Sequence, residues 1–377
     1  MEKINKWFAI LFCSVLILFS AVNMVKPATA FSENENRYLA QWPQFTFSGL
    51  VDGSYTEKVE KYTTDQFLFR DAWVSMKANL EKAIGKKENN GVYFCKNGYL
   101  IEKMPEYNQQ ILDTNLKAIR ELGLSGKYNT TFMLVPTAFE IEQEYLPANA
   151  YTDTQRRVLE YSRQQLQDSN VLFVDPTDYL SQHKDEYLYY RTDHHQTANG
   201  SFRTYEYLMN QMGLAPYSKE DFDVQTMSDE FLGTTWSKAT IAVTPDEILK
   251  YQPKFEANYV VDYQDTGEFS ESLYNEENLM IKDKYTYYLD GNHSILTINT
   301  GVKNGKSIAV FKDSYAHSIL PFLANHYENI HVLDLRYYNF NSVEYLENNQ
   351  ITDVLVLYNV TNFMSDNNLA KLGAYLQ

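Results

Sequence analysis

Short apolar runs alternate with segments of helical spacing through most of this chain, and that rhythm restricts its fold more than any other feature. The runs at 131–135, 170–175, 307–311, 330–334 and 353–358 have the length of buried strands. Between them, Ile111, Leu112, Asn115, Leu116, Ile119 and Leu122 keep the spacing of one helix face, as do Val158, Leu159 and Leu166. Residues 197–212, 315–327 and 342–348 read as further helices. Strands separated by helices build a mostly parallel sheet with helices on its faces, so an α/β fold is expected. In such sheets the loops after the strands gather at one edge, where ligands bind.

The rhythm has two interruptions. Near Pro216 it stops, and residues 217–290 are acidic, rich in tyrosine and weakly periodic, which predicts an inserted lobe containing strands. Ahead of the first strand, Val92 to Ile101 carries Asn97-Gly98 between apolar runs. Asn-Gly accepts the positive φ angles of a tight turn, so a hairpin is predicted, and the main domain is expected over 91–377. Residues 31–90 read as a helical extension, with Val59, Tyr62, Phe67, Phe69 and Trp73 as its apolar side. Before that, Trp7 to Met24 is uncharged and follows Lys3 and Lys6. Roughly 18 such residues suffice to cross a bilayer, and the basic flank keeps the N-terminus inside. Residues 1–30 are therefore expected to be a single-pass anchor with the body outside the cytoplasm, or a signal cleaved after Ala30, where Ala28-Thr29-Ala30 fits a peptidase site.

A formal net charge of −16 argues against a nucleic-acid partner. Cys13 and Cys95 are the only cysteines, so no disulfide framework exists. The 31 Tyr and 21 Phe suit either a sugar-binding groove or ordinary core and interface packing.

Chemistry concentrates in Thr192-Asp193-His194-His195, between the run at 170–175 and the helix at 197–212. A carboxylate holding an imidazole is the base half of a nucleophile–base–acid triad. The nucleophile candidate is Ser314 in Phe311-Lys312-Asp313-Ser314-Tyr315, at a strand-to-helix junction where a helix N-terminus can stabilise an oxyanion. Its plainer reading is a helix cap, and Asp193 too could serve only as a cap. His194 and His195 raise a metal alternative. Neighbouring side chains generally point apart, and neither H-E-x-x-H nor C-x-x-C occurs, so no metal is assigned.

Thr192-Asp193-His194-His195, Phe311-Lys312-Asp313-Ser314-Tyr315, the hairpin from Gly91 to Ile101 and Ser32-Glu33-Asn34-Glu35-Asn36-Arg37 together resemble the bacterial DHHW protein family. That family is similar to the SGNH-like periplasmic alginate O-acetyltransferases. The resemblance implies an SGNH-like three-layer sandwich with the motif order circularly permuted. It also implies Asp193 as the orienting carboxylate, His195 as base and Ser314 as nucleophile. The chain departs from the pattern twice: Gln196 stands where the family has Trp, and Lys312 where SGNH enzymes have the Gly of Gly-Asp-Ser. Tyr315, Gly291, Asn292 and Asn359 are candidates for oxyanion or substrate contacts, and Asp334-Leu335-Arg336 reads as a structural ion pair.

The function expected is an exported serine acyl-ester enzyme, an O-acetyltransferase acting on a cell-surface polysaccharide, with no cofactor. The resemblance also implies a membrane-bound O-acyltransferase as acyl donor. Alternatives are a glycan O-acetylesterase and a non-catalytic glycan-binding or assembly protein on an SGNH-like scaffold.

Overall fold

The computed structural model describes residues 2–150 and 155–374. Of the basic flank, the Lys3 side chain lies outside the described residues. The chain divides into two compact units, Met1–Lys86 with Ser237–Ala242, and Lys87–Trp236 with Val243–Gln377.

In the first unit an α-helix, Glu2–Val25, contains an apolar span from Ile4 to Val25. Its 22 residues extend about 33 Å at 1.5 Å per residue, enough for a hydrocarbon core of about 30 Å. It is a candidate membrane anchor or signal sequence. Beyond it, Phe31–Ser32 pairs with Arg37–Tyr38 across the Glu33–Asn36 turn. Arg37 leaves this hairpin to grip Asp65 with Nη1 and Nη2 at 3.0 and 2.6 Å. Glu35 meets Arg37 at 2.7 Å and Arg70 at 2.9 Å. The Ser32–Arg37 motif thus ties the hairpin to the helices Ser54–Asp65 and Arg70–Ala83. Within this unit Ala242 N–H donates to Asn79 Oδ1.

The second unit is built on an eight-stranded sheet, whose strands are β1 (Asn129–Val135), β2 (Val171–Val174), β3 (Tyr259–Tyr263), β4 (Glu268–Ser270), β5 (Ile295–Thr300), β6 (Ser307–Lys312), β7 (Asn329–Leu333) and β8 (Asp353–Asn359). Their order is β4-β3-β5-β7-β6-β8-β1-β2. The five strands from β7 to β2 are mutually parallel, and β5, β3 and β4 add antiparallel pairs at one side.

Side chains alternate across the parallel strands, as the two-residue period requires. Met133, Val135, Ile308, Val310, Leu355 and Leu357 enter one core together with Phe202, Tyr205 and Leu208 of the helix Ala198–Gln211. Phe132, Leu134, Ala309, Phe311, Val354 and Val356 enter the other, against Leu112, Leu116 and Ile119 of Gln109–Leu124. Helix, sheet and helix form three layers, and strands buried on both faces explain why the runs read as unbroken apolar blocks.

The hairpin Val92–Phe94 with Leu100–Glu102 turns on Asn97 and Gly98, at φ 55° and 77°. Residues 217–290 divide between two places. Phe222–Phe231 and Asp246–Pro253 form a separate antiparallel ribbon, while β3 and β4 extend the central sheet. The helix expected over 315–327 is instead a 3-10 segment, Ser314–Ser318, followed by one turn, Leu320–Leu323. Pro321 lacks the N–H that a continuing helix would need there.

Candidate active site

β6 ends at Lys312, and Asp313 caps the turn that follows. One Asp313 oxygen accepts from Tyr315 N–H at 2.9 Å. The other accepts from Asn359 N–H at 2.9 Å, Asn359 Nδ2 at 2.6 Å and Asn362 Nδ2 at 3.0 Å. This buried carboxylate fixes the backbone at Ser314 to the end of β8. Behind it Lys312 Nζ, also buried, donates to Asp334 at 3.0 Å and lies 2.6 Å from His317 Nε2.

The second arm comes from the 191–195 bend. Asp246 of the ribbon accepts from Thr192 N–H at 2.8 Å, Thr192 Oγ1 at 2.7 Å and Arg191 N–H at 3.2 Å. Gly233 N–H donates to Thr192 Oγ1, and Trp236 N–H to Thr192 O. Held this way, the bend delivers Asp193 and His195 to the rim carrying Ser314. His195 Nε2 lies 2.7 Å from Ser314 Oγ, and Nδ1 lies 2.6 Å from Asp193 Oδ1. Two neighbouring residues and a third 119 positions downstream of His195 therefore form one continuous hydrogen-bond chain.

Asp193 has its acceptor sites filled. Oδ1 also receives His195 N–H at 2.9 Å, and Oδ2 receives Thr234 N–H at 2.7 Å and Thr234 Oγ1 at 2.9 Å. Burial opposes its charge, but His194, His195 and these donors hold the carboxyl well below the ordinary aspartate range. His195 is displaced downward to about 4, first by burial and then by His194, against the upward pull of Asp193. Its neutral ring at pH 7 can take a proton from Ser314. Tyr285 covers that ring in parallel stacking, centroids 3.7 Å apart and planes 8° apart. The Tyr285 hydroxyl donates toward Ser314 O at 3.0 Å.

Each of the four further candidates has a hydrogen-bond partner outside the triad. Tyr315 gives its N–H to Asp313 and its hydroxyl to His194 O. Asn359 spends its amide on Asp313 and its Oδ1 on Asn362 N–H. Asn292 Oδ1 accepts from Arg336 Nη2, and Gly291 N–H donates to Tyr288 O. The Tyr315 N–H and the Asn359 N–H and Nδ2 thus build the nucleophile turn around Asp313. The short 3-10 segment also removes the long helix dipole expected behind Ser314. Asp334 and Arg336 form the ion pair expected of them, at 2.6 Å.

The His194 and His195 rings do not point apart; their centroids are 3.8 Å from each other. The bend at 191–195 is neither strand nor helix, so alternation does not apply. Asp193, His194 and His195 are the group among the described residues whose ligand atoms lie close enough to hold a metal, within 4.8 Å. Both His195 nitrogens are already paired, and His194 Nδ1 lies 2.7 Å from Thr234 Oγ1. A metal would have to displace Asp193 or Ser314 from His195.

A model of the DHHW protein family matches residues 106–333. The chain belongs to that family. Among solved structures, a DHHW family protein from Eubacterium siraeum is similar at 23% identity and TM-score 0.63, covering 75% of this chain and 95% of that one. Bacillus cereus PatB1 is similar at 21% identity and TM-score 0.61, over 72% of this chain and 97% of its own. PatB1 with a sulfonyl adduct matches at 22% identity and TM-score 0.61, over 72% and 96%. No curated protein matches. At these identities the likeness establishes the fold.

Gln196, in the family's Trp position, is buried. Its Nε2 donates to the Tyr189 hydroxyl at 3.2 Å and its Oε1 accepts from Thr204 at 3.0 Å. It supports the bend from inside the core. Sequence reasoning missed Gly233, Thr234 and Tyr285, all within the weakly periodic stretch. A β-carbon on Gly233 would come within 2.7 Å of Asp193 Cγ, so glycine is required for the approach.

Proposed function

We propose that this chain is an exported, membrane-anchored serine enzyme that transfers acyl groups to a cell-surface polysaccharide as an O-acetyltransferase. The observation carrying this reading is the unbroken Asp193–His195–Ser314 hydrogen-bond chain, with His195 neutral. Ser314 Oγ attacks the donor's acyl carbon while its proton passes to His195 Nε2. His195 returns that proton to the leaving group as the donor's bond breaks, which leaves acyl-Ser314. An acceptor hydroxyl then gives its proton to His195 and attacks the acyl carbon; the acyl–Oγ bond breaks, His195 Nε2 passes that proton to Ser314 Oγ, and the acyl-sugar leaves the regenerated enzyme. Asp193 holds Nδ1–H and balances the imidazolium formed twice per cycle. Tyr285 shields one face of the imidazole from water, which favours transfer over hydrolysis.

An exported enzyme has no access to cytoplasmic acyl-CoA, so the donor proposed is a membrane-bound O-acyltransferase. The test is incubation of purified protein with an activated acetyl ester and oligosaccharides, read by mass spectrometry. Acetylated sugar that disappears with Ser314→Ala supports the transferase. Free acetate alone supports the glycan esterase, and binding of glycan without turnover supports the non-catalytic alternative.

A further inference from the structure

The helix Arg70–Ala83 presents an apolar stripe that nothing in its unit covers. Trp73, Met76 and Leu80, with Ile84 just beyond the helix end, are 46–86% exposed. At 3.6 residues per turn these four fall within an arc of about 80°. Phe67 and Phe69, immediately ahead of the helix, are exposed as well. A stripe of this size in water is a docking face.

Its position identifies the occupant. Phe67 packs against Phe19 of the apolar helix, ring centroids 5.2 Å apart. The chain leaving that helix is bound at the same place, where Thr29 N–H donates to Gln66 Oε1 and Gln66 Nε2 donates to Thr29 O, both at 2.8 Å. Phe19 is six residues short of Val25, about 9 Å back along the helix axis. If Ile4–Val25 crosses a bilayer, Phe67 lies at the boundary of acyl chains and headgroups, and the stripe begins there. Charge agrees. Residues 70–86 hold four basic and two acidic residues, a net of +2 in a chain of −16. Lys77, exposed and about 40° from Trp73 around the helix, flanks the stripe; a basic residue beside an apolar helix face suits an anionic lipid surface, and tryptophan favours the interface.

We infer that Arg70–Ala83 is an interfacial helix lying in the outer headgroup region of the bilayer, a second membrane contact beside the N-terminal span. This rests on the anchor reading above. The test places the full-length protein in nanodiscs of phosphatidylcholine with a minority of phosphatidylglycerol. A phosphatidylcholine carrying a photoreactive diazirine, either near the glycerol or at the acyl terminus, is included, and adducts are mapped by peptide mass spectrometry. The shallow probe is expected to label residues 67–84 and the outer end of 2–25, and the deep probe only 2–25. Paired Leu80→Glu and Ile84→Glu substitutions should lower labelling of 67–84 severalfold, with labelling of 2–25 and the circular dichroism spectrum unchanged. Labelling of 2–25 without any on 67–84 overturns the inference and leaves the anchor intact. No labelling on 2–25 overturns the anchor itself. Cross-linking of the stripe to another polypeptide or a second copy, without lipid adducts there, assigns the face to protein and likewise overturns the inference.

Discussion

Replacing Asp193 with Asn tests whether the acid acts through its acceptor pattern. Asp193 receives four donor contacts: His195 N–H and Nδ1 on one oxygen, Thr234 N–H and Oγ1 on the other. An amide keeps one oxygen and presents NH₂ on the other side. With NH₂ toward His195, the ring must shift its proton to Nε2 and lose its acceptor toward Ser314. With NH₂ toward Thr234, a buried backbone N–H is left facing a donor, and the imidazolium formed in turnover loses its counter-charge. Either arrangement removes charged hydrogen bonds worth about 1.5–3 kcal/mol each in stability. An Asn that leaves the histidine in the wrong tautomer lowers turnover by about 10⁴-fold, or about 5.4 kcal/mol of barrier. Hydrolysis of 4-nitrophenyl acetate by purified Asp193→Asn protein, alongside its thermal unfolding, measures both. A folded variant within about tenfold of the parent would refute the reasoning, since it would leave Asp193 a purely structural acceptor.

The remaining expectations concern the surroundings of His195. Because its pKa is displaced to about 4, kcat/KM should hold as pH falls through the ordinary histidine range and decline only near pH 4, as protonation removes the base; an acid limb near 6.5 would contradict this. Tyr285→Ala removes the stacked ring and admits water, so the same limb should move up toward 6.5, whereas Tyr285→Phe keeps the stack and should leave it in place. Gly233→Ala should push Asp193 aside and cut kcat/KM by about 10²-fold or more with fold retained, read by the same ester assay.

The sheet and the meeting of Asp193, His195 and Ser314 at its rim are legible in the sequence for one reason. Buried parallel strands are apolar blocks with a sharp end, and Ser314 directly follows one of them. The strand expected at 307–311 is observed at Ser307–Lys312, and that at 353–358 at Asp353–Asn359. The parts that escaped lie where periodicity fails. Gly233, Thr234 and Asp246 come from the weakly patterned stretch, and nothing local shows that they wrap the 191–195 bend. Asn359 stands at a strand end, as expected, but a residue there can face a ligand or clamp its neighbour. Its amide goes to Asp313, a contact 46 residues away in sequence. The helix after Ser314 is shorter than expected, because apolar spacing continues through Ile319 and Leu323 while Pro321 interrupts the backbone pairing.

The most direct measurement is covalent capture of the nucleophile. Treating the full-length protein with a sulfonyl fluoride and mapping the product by peptide mass spectrometry should give one adduct, on Ser314 Oγ, absent in Ser314→Ala and strongly slowed in His195→Ala. Labelling that persists in Ser314→Ala, or a folded parent protein that takes no label, would contradict a serine activated by His195 and Asp193.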